Sequence, residues 1–301
     1  MNSLVLKSFF LLFLALPGTD FGEGAATAPD PTSPVADGTA PAPPRPNDPP
    51  ADADVCSIDN TSFQAGEEIV YKLYYNWNFV WLAAGEVTFR VSDLGDSYRV
   101  SVKGRTYPSY EWFYKVTDNY TSYLDKETLL PKIHIKDIQE GGYQKYDRTT
   151  FFQDENRIVS HRGRTAADTQ PKYMDVDPCM HDLISIIYFT RNLDYRTLNR
   201  GDEIPIKIVM DQEMHPLKIH YLGPEKNVKI KDSGRYNTLR FSPQLITGEL
   251  FKEGDEMKIY VSDDRNKLPL MIESPVSVGS VKAVLKSYKG LRHPMEAKTD
   301  K

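Results

Sequence analysis

One pattern recurs along this chain at a nearly fixed distance, and it limits the fold more than any other feature. "GEEIVYKLYYN" at 66–76 aligns with "GDEIPIKIVMD" at 201–211: glycine, acid, glutamate, isoleucine, any residue, apolar, lysine, apolar. A further copy of its start, "GDEMKIYVSDD", begins at Gly254. A second motif, "YLDKETLLPKIHI" at 123–135 and "VSDDRNKLPLMIE" at 261–273, reads strand, aspartate, turn, Leu-Pro, strand. The first motif recurs after 135 residues (66 to 201) and the second after 138 (123 to 261). Turn glycines followed by alternating residues describe strands leaving tight turns. Two landmarks in the same order at almost the same offset point to a duplicated β-module, about 63–160 and 198–290. The competing account is chance likeness between two generic hairpins.

Between the copies, "DPCMHDLISIIYFTRNLD" at 177–194 breaks the β pattern. Asp182 can cap a helix, Leu183–Phe189 is apolar on more than one helical face, and Arg191 suits the negative end of the dipole. The spacing predicts one helix around 182–193. Elsewhere short strands dominate: "EVTFRV", "SYRVSVKG", "NRIVSHRG", "KNVKIK", "GRYNTLRFSP" and "SVKAVLKSYKG". The expected fold is mainly β, with duplicated antiparallel sheets forming a sandwich or an open curved barrel.

The ends of the chain read differently. Lys7 followed by the apolar Phe9–Leu16 and then Pro17-Gly18 has the form of an export signal over 1–23. The run is too short to cross a bilayer, which takes about 20 apolar residues, so no transmembrane span is expected after cleavage. Residues 24–54 are rich in Pro, Ala and Asp and nearly free of bulky apolar side chains, the composition of a disordered tether. A β-rich domain over 55–291 and a flexible tail over 292–301 complete the expected organisation. An exported chain meets oxidising conditions, where its two cysteines, Cys56 and Cys179, are expected to pair. Closing so long a loop is worth about 4–5 kcal/mol in the chain-entropy model.

Taken in order, several short pieces resemble a known family. They are Phe63-Gln-Ala-Gly66-Glu67, Ala84-Gly85-Glu86, Asp118-Asn-Tyr120 with Asp125 and Leu130-Pro131, and Asp182-Leu-Ile-Ser185 running to Tyr188 and Arg191. The second half adds Gly223-Pro-Glu225, Gly234-Arg-Tyr236, Pro243, Asp264, Pro269 and Gly279-Ser280. In this order, over Cys56–Leu291, the chain resembles exported bacterial proteins carrying the domain of unknown function 3108. The resemblance implies a β-rich protein of the bacterial envelope with no assigned catalytic residues. The Asp-turn-Leu-Pro hairpins are also similar, in architecture only, to those of periplasmic lipoprotein carriers and related acyl-binding half-barrels.

Composition and motif searches remove several function classes. Lys and Arg number 37 against 42 Asp and Glu, interspersed, which leaves no basic stripe for nucleic acid. None of the six histidines has metal-ligand spacing, no G-x-S-x-G is present, and no cofactor is implied. An enzyme cleaving glycans by paired carboxylates stays open, with Glu86, Glu111, Asp118 and Asp125 as the acids that could meet. The aromatic stretch "TYPSYEWFYKV" at 106–116, read with period two, places Tyr110, Trp112, Tyr114 and Val116 on one face of a half-buried strand. Trp77, Phe79 and Trp81 alternate in a second row. The ligand-binding candidates are therefore Trp77, Trp81, Tyr110, Trp112 and Tyr114, whose rings line a cavity if the rows face an opening and fill the core if they meet. The leading expectation is a non-enzymatic envelope protein binding a lipid or other amphiphile, or an envelope protein or glycan. A carbohydrate-active enzyme and a structural assembly factor are the alternatives.

Overall fold

A computed structural model describes residues 56–300 apart from 78–79, 113, 246–254 and 276–278. The expected signal peptide and tether lie outside the described residues. Strands β1 Glu68–Trp77, β2 Val80–Asp93, β3 Ser97–Thr106, β4 Thr117–Asp125, β5 Pro131–Glu140, β6 Tyr143–Phe152, β7 Arg157–Gly163 and β8 Gln170–Asp175 form the first run. Strands β9 Glu203–Met210, β10 Glu213–Ile230, β11 Gly234–Pro243, β12 Lys258–Ser262, β13 Pro269–Pro275 and β14 Ser280–Lys289 form the second. All fourteen belong to one open antiparallel sheet, ordered from β8 back to β1 and then from β14 back to β9. The first and last strands pair in the middle, from Glu68 opposite Lys289 to Asn76 opposite Ser280. The sheet's two edges, β8 and β9, are neighbours in sequence.

This is a single open sheet, which fits the open curved form of the expected architecture. The recurring motifs fall at matching places, the first opening β1 and β9 and the second spanning the β4–β5 and β12–β13 turns. Among the described residues, strands β7 and β8 have no counterpart in the second run.

The expected helix is α2, Leu183–Thr190, following a four-residue helix α1, Pro108–Glu111. Its start is fixed by Asp182, whose carboxylate accepts from the N–H groups of Ile184 and Ser185 while the Ser185 side chain takes the Asp182 N–H. It ends at Arg191 rather than running on to 193; a short 3-10 turn over Tyr195–Thr197 follows. Because both of its faces are apolar, α2 lies within the curve of the sheet, where Ile184 and Tyr188 pack with Leu73, Val87, Phe89, Tyr120 and Leu270. Each such side chain stabilises the fold by about 1.5–3 kcal/mol relative to exposure.

The N-terminal segment is clamped over the helix end. Arg191 donates from Nη1 and Nη2 to both oxygens of Glu67 at 2.7 and 2.8 Å, and its guanidinium lies over the rings of Phe63 and Tyr188. Cys56 and Cys179 form a disulfide that spans 123 residues, the pairing expected from their even count.

Two local expectations need correction. The stretch at 106–116 is not one strand: Tyr107 and Pro108 start α1, because proline at the first helical position loses no hydrogen bond and its fixed φ favours the turn. Residues 292–300 are not a loose tail. Ala297 is buried, its N–H donates to Asp264 Oδ2 at 3.1 Å, and Lys298 bridges to Tyr236.

Candidate ligand cavity

The interior under the sheet has two characters. In the first run, inward positions carry charge: Lys136 on β5, Asp147 on β6 and Arg162 on β7. The turn between β9 and β10 reaches across from the second run and places Asp211 among them, 3.3 Å from Lys136 Nζ, 2.9 Å from Lys145 Nζ and 3.1 Å from Arg162 Nη2. Burial alone would raise the Asp211 carboxyl, but the surrounding cations, Lys136 and Lys145 first, hold it below the usual carboxylate range. Both turn residues, Asp211 and Gln212, have positive φ (50° and 64°), and Gln212 donates to Ser160 Oγ. This network ties the β9–β10 turn to β5, β6 and β7 through one oxygen of Asp211.

The second run is apolar and hollow. Ile206, Ile208 and Met210 alternate along β9, Leu217 and Ile219 along β10, and Ile259 and Val261 along β12, all pointing to one side as a period of two requires. Leu183, Ile186, Ile187 and Thr190, spaced as one stripe of α2, face them. Between helix and strands lies a cavity of about 240 Å³, completed by Ile69, Tyr71 and Phe89 from the central strands and by Leu245 and Met257 at the ends of β11 and β12. Most of its polar lining is already committed: Tyr71 Oη donates to the Pro269 carbonyl, Tyr195 Oη to the Thr190 carbonyl, and Arg191 to Glu67. Burial pushes the Tyr71 and Tyr195 hydroxyls well up, so both stay neutral.

Of the aromatic candidates from the sequence, Trp81, Tyr110, Trp112 and Tyr114 do not line this cavity. Trp112 is 83% exposed beyond α1, its Nε1 bonded to the Ser109 carbonyl. Trp81 is 37% exposed on β2 with Lys282 over its ring. Tyr110 is half-buried in α1 and Tyr114 packs against the main core; the side chain of Trp77 lies outside the described residues. The carboxylates do not gather either. Glu86 accepts from Tyr107 and pairs with Lys286, Glu111 sits near Lys115, Asp125 caps its own turn and pairs with Lys132, and Asp118 is buried beside Glu140. Among the described residues no group of three His, Cys, Asp or Glu could hold a metal ion. No described helix is long and apolar enough to cross a membrane. The cavity residues went unseen in the sequence because isoleucine and leucine at alternate strand positions read the same whether they meet other side chains or open space.

The profile of the family described as "Protein of unknown function (DUF3108)" matches residues 70–286. The chain belongs to this family. Within DUF3108 that span takes in β2–β13 and the helix, and so nearly all of the cavity wall. No curated protein matches the chain. A solved structure similar to this DUF3108 chain is a β-barrel-like protein of domain of unknown function DUF1849 from Brucella abortus. It has 8% identity and a TM-score of 0.50, and the match covers 76% of this chain and 99% of that one. At that identity the likeness concerns the fold alone. A protein from Bacteroides fragilis NCTC 9343 described as exported and of YmcC-like fold matches over 77% of this chain and 99% of its own, at 11% identity and a TM-score of 0.30.

Proposed function

We propose that this DUF3108 protein works in the bacterial cell envelope as a binding protein, holding an apolar or amphiphilic small molecule in the cavity between α2 and strands β9–β13. The observation that carries the reading is the cavity itself. Protein interiors close-pack and keep few voids larger than a water molecule, yet about 240 Å³ stays open here between α2 and the strands, walled mostly by isoleucine, leucine, methionine and valine. That is near the lower end of small-molecule sites, roughly 300–1,000 Å³, and has their mostly apolar lining. The Cys56–Cys179 bond supports an oxidising compartment outside the cytosol.

Filling the cavity tests the idea. With N-phenylnaphthylamine, an uncharged apolar fluorophore, the wild-type protein is expected to give saturable enhancement at one probe per chain. Ile206→Trp, placing an indole inside the cavity, should weaken that binding more than tenfold while the thermal midpoint changes by only a few degrees. Equal binding by the variant would move the site elsewhere and end the proposal.

A further inference from the structure

The Leu-Pro turn of the second run carries a departure from its counterpart that points into the cavity. In both turns the residue before Leu-Pro has left-handed backbone, Leu129 at φ 60° and Lys267 at φ 45°. In both, its N–H returns to an aspartate carbonyl, Asp125 or Asp264. At the first turn this residue is a fully buried leucine. At the second it is a lysine that lines the apolar cavity. Neither residue type favours that backbone region, so the turn around Lys267 has to be held by its surroundings. It is: Ser262 and Leu268 exchange bonds, Asp264 Oδ1 takes the Asn266 N–H and the Ser262 hydroxyl, and Arg191 Nε donates to the Asn266 carbonyl. From the C-terminal segment, the His293 N–H donates to Asn266 Oδ1.

The ammonium of Lys267 is not spent on this framework. Among the described residues no carboxylate lies within ion-pair distance and no hydrogen bond to Nζ forms; the ammonium lies over the Tyr195 ring, 5.9 Å from its centre. The nearby anions are engaged elsewhere. Asp194 chelates Arg196 through two bonds of 2.8 Å, and Asp264 is taken up by Ser262, Asn266 and Ala297. Arg191, the other cation on the cavity wall, is neutralised by Glu67. Burial presses the Lys267 ammonium downward in pKa, with Asp194 only partly offsetting it. The apolar pocket thus ends at a half-buried lysine whose ammonium has no ion-pair partner among the described residues.

We propose that the occupant is an anionic amphiphile, a single alkyl chain lying among the isoleucines with its carboxylate or phosphate head ion-paired to Lys267. This rests on the cavity reading above and adds the chemical class of the ligand. An anion there would restore the favourable environment for the ammonium and form a charge-assisted hydrogen bond in a low-dielectric setting.

Three probes with one tail separate the possibilities: decanoate, decyl phosphate and 1-decanol, titrated calorimetrically into the full-length protein and into Lys267→Met. The wild type is expected to bind at least one of the two anions about tenfold or more tightly than the alcohol. A preference for only one names the head group. Lys267→Met should reduce the anions to the level of the alcohol and leave the alcohol unchanged. Lys267→Gly, which removes the charge and also suits a left-handed φ, should do the same with a raised thermal midpoint, so a folding defect in the methionine variant would not obscure the result. A preference for anions that survives both substitutions, or equal binding of all three probes by the wild type, overturns the head-group assignment while leaving the cavity as a site. Failure of the wild type to bind any of the three overturns both.

Discussion

Asp118 is a residue whose own charge works against the fold that contains it. It sits on β4 beside Glu140, accepts the Gln139 N–H at 3.1 Å, and has no exposed surface. Burial raises its carboxyl from the ordinary 3.8 to about 7, despite help for the charged form from the Gln139 N–H, Glu140 and Lys136. The folded protein therefore keeps a proton that the unfolded chain releases. The stability that this proton contributes is complete below the ordinary value and is lost as pH rises through the folded one, with a slope of at most about 1.4 kcal/mol per pH unit. Asp118→Asn carries no charge to titrate. Urea unfolding at about pH 5 and about pH 8 should show the variant gaining on the wild type as pH rises. A constant difference between the two proteins would mean that Asp118 is ionised throughout.

At the level of elements, the start of α2 concentrates more bonding than any other helix end. Asp182 Oδ1 takes the N–H groups of Ile184 and Ser185 at 2.7 and 2.9 Å, and Oδ2 takes the Ser122 hydroxyl of β4 at 2.6 Å, tying helix to sheet. Asp182→Ala should cost about 2 kcal/mol, seen as a lower urea midpoint with unchanged slope, and Asp182→Asn should recover most of it by keeping an acceptor. A cost near zero would mean that water replaces the cap. This helix start was legible in the sequence because capping chemistry is local: an aspartate, a serine three residues on, and an apolar run. The hairpins were legible for the same reason, since Asp125 and Leu130-Pro131 make their turn without help from afar. The segment at 106–116 was misread because its aromatic alternation outweighed Pro108, whose helix-starting geometry decided the outcome. The charged contact of Asp211 with Lys136, Lys145 and Arg162 was invisible because it joins strands that only the sheet's curvature brings together.

Over the whole molecule, protection from solvent should follow sheet order rather than chain order. The central strands β1, β2 and β14 have neighbours on both sides and buried side chains, whereas β8 pairs only with β7 and exposes nearly every residue. In hydrogen exchange read by mass spectrometry, peptides from 170–175 should exchange first and those from 68–76 and 281–288 last. Equal protection of β8 and β1 would require a covering partner along that edge. The seam between β1 and β14 also governs how the protein can be made. The innermost strand waits for Ser280–Lys289 to emerge before its second flank is covered, so a chain emerging N-terminus first cannot close this seam until β14 has been made.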